Sequence, residues 1–69
     1  VDEQWRHECE VREWIRRRTE KGPEQGRSWL ATVLESIGKK RGADAAERLR
    51  NDITNQWRLG NRGQFGDWR

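Results

Sequence analysis

The sequence predicts an all-α fold, a small three-helix bundle followed by an irregular tail rich in glycine, arginine and aromatic residues. Three observations predict it. Apolar residues recur at helical spacing in three successive stretches. Gly22-Pro23, Gly42 and Gly60-Asn61 punctuate those stretches. No stretch alternates apolar and polar residues as a half-buried strand does. The expected organisation is a helical domain over residues 1–60, with helices at about 2–21, 24–41 and 43–59, and a tail over 61–69.

In the first helix Asp2 suits a cap and Glu3 the first turn, while Arg16, Arg17 and Arg18 crowd the last turn, where the helix dipole favours cations. At about 100° per residue, His7, Val11, Trp14, Ile15 and Arg18 share one face, with Trp5 and Cys9 on nearly the opposite side. One buried stripe cannot hold both groups. The second group therefore needs its own neighbour, either the C-terminal segment or another chain.

Gly22 ends that helix, and Pro23 suits the first turn of the next, which starts between Pro23 and Ser28 and runs to Lys40 or Arg41. There Trp29, Leu30, Val33, Leu34 and Ile37 fall within a wedge of about 140°. After Gly42, the third helix lines Ala45, Ala46, Leu49, Ile53 and Trp57 on one face, and Gly60-Asn61 supplies a left-handed stop. The expected core is Trp14, Trp29, Leu30, Val33, Ile37, Leu49, Ile53 and Trp57.

Sixty-nine residues make one domain at most. Cys9 stands alone and His7 is the single histidine, which excludes an intrachain disulfide and a four-ligand Cys/His zinc site. A free thiol suits a reducing, cytoplasmic setting. At 30% hydrophobic and 39% charged the chain borders on disorder, but it carries five tryptophans. Each of these can bury roughly 200 Å². The expectation is a folded but marginal domain, or one completed by homodimerisation. No apolar run is long enough for a signal peptide or membrane span, so a soluble protein with no membrane partner is expected. The net charge of +3 arises from fifteen cations against twelve anions, a mixture typical of ion-paired helix faces.

No catalytic motif is present, and no enzyme activity, metal or cofactor is expected. His7 and Cys9 diverge by about 160° on a helix and cannot form a dyad. Glu10 and Glu13 lie among arginines, where ion pairing is the common outcome. Glu3, His7 and Glu10 share a face that could catch only an adventitious ion, and His7 is expected at the edge of the apolar stripe.

Short connections make neighbouring helices antiparallel. This places Arg16, Arg17, Arg18, Lys21, Arg27, Arg58 and Arg62 at one pole of the bundle, where the tail begins, and Lys39, Lys40 and Arg41 at the other. The tail has three readings. In the first, Phe65 and Trp68 fold back onto apolar surface such as Trp5 or Leu59, with Asn61, Gly63 and Gly66 supplying the turns. In the second it is an exposed arm whose aromatics and arginines grip a partner. Plain disorder is the third.

Tryptophan and arginine often dominate interface energetics, so protein binding leads the functional classes. The expected contact surface is Trp5, Arg16, Arg17, Arg18, Arg58, Arg62, Phe65 and Trp68, against a host protein or a second copy. Nucleic-acid binding by the Arg16–Arg18 cluster and the arginine/aromatic tail is the alternative. A helix-turn-helix reading of the last two helices fails, because Asp44, Glu47 and Asp52 would face phosphates.

The segment QWRLGNRGQFGDW, Gln56 to Trp68, with the preceding KKRGADAAERLRNDI, resembles small bacteriophage and prophage proteins of Gram-negative bacteria that have no assigned activity. The likeness covers roughly the C-terminal 30 residues and rests on the QWR, GNRG and GDW elements; the first two helices carry no matching motif. It implies a context, a phage accessory protein that docks onto a host protein in the host cytoplasm, and transfers no residue roles.

Overall fold

A computed structural model describes residues 2–69; Val1, the first residue of the expected helical domain, lies outside the described residues. Asp2 starts the fold. Its backbone is extended, and its carboxylate accepts the Trp5 N–H at 2.7 Å, so it caps α1 (Glu3–Lys21) from outside rather than forming its first residue. Gly22 alone links α1 to α2 (Pro23–Arg41), and Gly42 alone links α2 to α3 (Ala43–Arg58). The second helix thus begins at Pro23, the earlier of the expected starts, because proline is well suited to a first turn that needs no N–H. The third ends at Arg58, one residue early, with Leu59 as its cap. All three helices pack on one another, as expected for an all-α bundle.

The core is aliphatic at its centre. Val11 and Ile15 of α1, Leu34 and Ile37 of α2, and Ala46, Leu49 and Ile53 of α3 are buried. Trp14, Leu30, Val33, Trp57 and the tail residue Trp68 pack around them and stay partly exposed. Of the eight expected core residues, Ile37, Leu49 and Ile53 are buried. Trp29 instead stacks beside Trp14, with ring centroids 5.7 Å apart at a tilt of 53°. The shape explains this division. The molecule measures 33 × 28 × 16 Å, and its thinnest dimension only moderately exceeds a helix diameter of about 10–12 Å. So thin a layer encloses branched aliphatics but leaves an indole with one edge in water.

Side-chain hydrogen bonds tie the helices at the side. His7 bonds Asp52 across α1 and α3, and Arg41 meets Glu10 at 2.9 Å across α2 and α1. His7 therefore sits at the stripe's edge as a bonded partner of Asp52, and neither it nor Glu10 is left to share an adventitious ion with Glu3. At the opposite end, α1 and α2 approach so closely that a methyl on Gly26 would lie 2.5 Å from the Arg18 carbonyl oxygen.

Candidate functional site

The last turn of α3 decides where the tail goes. Gly60, at φ 105°, occupies the left-handed region that a side chain would disfavour. The Gly60 N–H then reaches Trp57 O at 3.1 Å and the Asn61 N–H reaches Gln56 O at 2.8 Å, the paired bonds of a Schellman cap. Such caps usually bring an apolar pair together beside the backbone bonds. Here the pair is polar: Asn61 donates Nδ2–H to Gln56 Oε1 at 3.1 Å.

From this pair the hydrogen bonds run outward into the tail. Asn61 Oδ1 accepts the Gly63 N–H at 2.8 Å, and its Nδ2 also donates to Asp67 O at 3.0 Å. Gln56 Oε1 accepts the Arg69 N–H at 2.8 Å, while Gln56 Nε2 donates to Arg69 O at 2.6 Å. Across from them Arg12 of α1 donates to Asp67 O at 3.3 Å and to Cys9 Sγ at 3.2 Å, and lies 3.8 Å from Glu8. Arg12, Gln56 and Asn61, at 6%, 4% and 0% exposure, are the buried polar residues among those described. All three hold the tail. A buried polar group without a partner costs about 1–3 kcal/mol, so each is tolerated inside because the tail satisfies it.

Gly63 presses against α1. A methyl there would sit 2.6 Å from Arg12 O and from Arg16 Cβ, so only glycine allows the chain this close. A turn follows, closed by the Asp67 N–H to Gln64 O at 3.0 Å. Its tip carries Phe65, 93% exposed, beside a depression lined by Cys9, Arg12, Glu13, Arg16 and Gly63. Trp68 then turns inward onto the core.

Neither folded-back nor open-arm tail describes this outcome alone. Trp68 folds back; Phe65 does not, since backbone bonds fix its turn pointing outward. Neither covers Trp5 or Leu59, which remain 49% and 55% exposed. On the second face of α1 the tail bonds Arg12, Cys9 is half-buried and Trp5 stays half exposed.

The arginine pole divides in two. Arg16 donates to Glu13 at 2.7 and 3.1 Å and pairs with Glu20 at 3.0 Å. Arg17 pairs with Glu13 at 3.1 Å and lies over the Trp14 ring. The Arg16 hydrogen bond is the main cause that holds the Glu13 carboxyl below its ordinary pKa, and the Glu13 bond raises Arg16 in turn. The other group is not neutralised. Arg18 and Arg62 lie over the Trp57 ring, their guanidinium carbons 4.1 and 3.7 Å from its centroid. Arg62 also donates to Trp57 O at 2.7 Å and Asn61 O at 2.9 Å. Burial, then the charges of Arg27 and Arg62, push the Arg18 pKa below the usual guanidinium value. Among the described residues none of these three pairs with a carboxylate.

The eight expected contact residues therefore do not form one surface. Arg16 and Phe65 border one depression. Arg18 and Arg62 both lie over Trp57, with Arg17 on Trp14, Arg58 bonded to Asn55 and Trp68 packed against the core. Trp5 stands near the far end of α1, about 20 Å along the axis from Arg18. Arg12, Gln56, Asn61 and Arg27 were not among the expected residues. One signal existed for Arg12, which continues the Trp5–Cys9 stripe at helical spacing. Another existed for Gln56 and Asn61, which occupy the two side-chain positions that face each other in a glycine-capped helix end.

Residues 1–59 match the model of a family of unknown function (DUF7696). No curated protein and no solved structure matches the chain.

Proposed function

We propose that this chain, which belongs to the DUF7696 family, is a non-enzymatic protein-binding module whose Phe65 turn enters an apolar pocket on a partner protein. The observation that carries the reading is the contrast between Phe65 and its support. A large aromatic is almost wholly exposed, while the loop beneath it is held by buried Arg12, Gln56 and Asn61. A tail with no role for Phe65 would gain stability by turning that ring inward, as Trp68 does. A loop ordered before binding loses little entropy on association, and a single aromatic anchor can supply a large share of an interface's energy. Glu13 and Arg16, beside the anchor, would form a charged rim.

The phage-type context and a host protein in the host cytoplasm belong to this proposal through the tail's resemblance, because the GQFGDW stretch is the stretch that builds the turn. A second copy of the chain is the other protein partner that Phe65 could engage. The nucleic-acid reading has less support, since Glu13 and Glu20 occupy Arg16 and Arg17 and Trp68 packs on the core.

The test places a photo-crosslinking phenylalanine analogue at position 65 and challenges capture with unlabelled competitor. The reading expects one dominant protein adduct, host or self, suppressed by the native chain and not by Phe65→Ala. Equal suppression by both competitors contradicts it.

A further inference from the structure

Arg18 and Arg27 line a cleft of about 300 Å³ together with Thr19, Gly22, Pro23 and Trp57, and Arg62 lies with Arg18 over the ring of that Trp57. Three cations gathered without a carboxylate repel one another, whereas Arg16 and Arg17 pair with Glu13 and Arg41 with Glu10. The indole offsets part of that repulsion through its ring face. The packing restricts escape. The Arg18 backbone is wedged against Gly26, and two carbonyl oxygens hold the Arg62 guanidinium.

We propose that this cleft binds a dianionic phosphoryl group, either free phosphate or a terminal phosphate monoester, with Arg18 and Arg27 as its ligands and the charge of Arg62 nearby. Guanidinium forks match phosphate oxygens in geometry as well as charge. A dianion compensates more of the three cations than the single charge of a phosphodiester. Base stacking has no place here, because Arg18 and Arg62 already lie over the Trp57 ring. That separates this site from single-stranded nucleic-acid grooves, which use open aromatic faces. The site does not involve Phe65 and stands independently of the protein-binding reading.

Titration of the full chain with inorganic phosphate, followed by NMR against sodium chloride at matched ionic strength, tests the proposal. Saturable shifts are expected at the Trp57 indole and at the Arg18 and Arg62 side chains. Arg27→Gln, an exposed change, should weaken phosphate binding by about tenfold or more. Arg18→Gln should act alike, and Arg16→Gln should leave binding unchanged. A small phosphate monoester binding more tightly than inorganic phosphate would identify the monoester as the source; the reverse order would identify the free ion. Absence of saturable shifts, wild-type binding by Arg27→Gln, or an equal loss in Arg16→Gln overturns the proposal. So does tighter binding of an oligonucleotide that lacks terminal phosphates.

Discussion

Asn61 and Gln56 are joined twice, by the Asn61 N–H to Gln56 O at 2.8 Å and by Asn61 Nδ2–H to Gln56 Oε1 at 3.1 Å. The first bond caps α3. The second turns the cap into an anchor, because the remaining hydrogen-bonding capacity of both side chains is directed at Gly63, Asp67 and Arg69. A helix end that usually releases the chain here holds the tail that follows it, and Phe65 is displayed as a consequence.

Asn61→Ala removes three side-chain bonds and leaves buried acceptors with fewer partners. A loss of about 2–4 kcal/mol is expected. For a domain of this size that is a fall in melting temperature of at least about 8 °C, read by circular dichroism. Asn61→Asp should not rescue it, because the carboxylate loses both N–H donors and would be buried as a charge.

Gly63→Ala should cost about 1–3 kcal/mol, since the methyl meets the α1 backbone and the residue stands at φ 85°. The loss should appear as displaced amide resonances for Gly63 to Asp67 while α2 stays unperturbed.

Phe65→Ala and Trp68→Ala should separate cleanly. The first should change stability by less than about 0.5 kcal/mol and abolish partner capture. The second, which uncovers core, should cost about 2–4 kcal/mol while folded protein still binds. Paired melting and capture measurements on both variants check this, and a swapped outcome would reassign the two aromatics.

Glu13 gives a pH-dependent term of known sign. Its carboxyl pKa is depressed in the fold by Arg16 and Arg17, so its contribution is present above the ordinary glutamate range and is lost as pH falls through the folded value. The pair is solvent-exposed, so the effect should be small and should shrink in salt. A carboxyl NMR titration should give Glu13 a midpoint below the ordinary glutamate value.

Much of this fold is legible in the sequence. Gly22-Pro23 and Gly42 place the helix junctions to within a residue, because single-residue links leave little freedom in where a helix ends. Antiparallel connection also brings Arg18, Arg27 and Arg62 to one pole, as their positions imply. The tail was harder to read for a physical reason. Hydropathy assigns Arg12, Gln56 and Asn61 to the surface, and only the hydrogen bonds of the folded tail make their burial tolerable. Phe65 and Trp68 are equivalent by composition; what separates them is the turn between Gln64 and Asp67. The tryptophans suggest a core by their size, yet the thin layer of helices puts aliphatics at the centre and indoles around it.

The most direct test of the anchored tail is amide hydrogen exchange at Gly63 and Arg69, whose N–H groups donate to Asn61 Oδ1 and Gln56 Oε1. Both should be protected well beyond the unfolded-chain rate, and both should lose that protection in Asn61→Ala while Ile53 in α3 retains its own. Exchange of both amides at the free rate in the native chain, with the helices still protected, would show an unanchored tail and contradict the account.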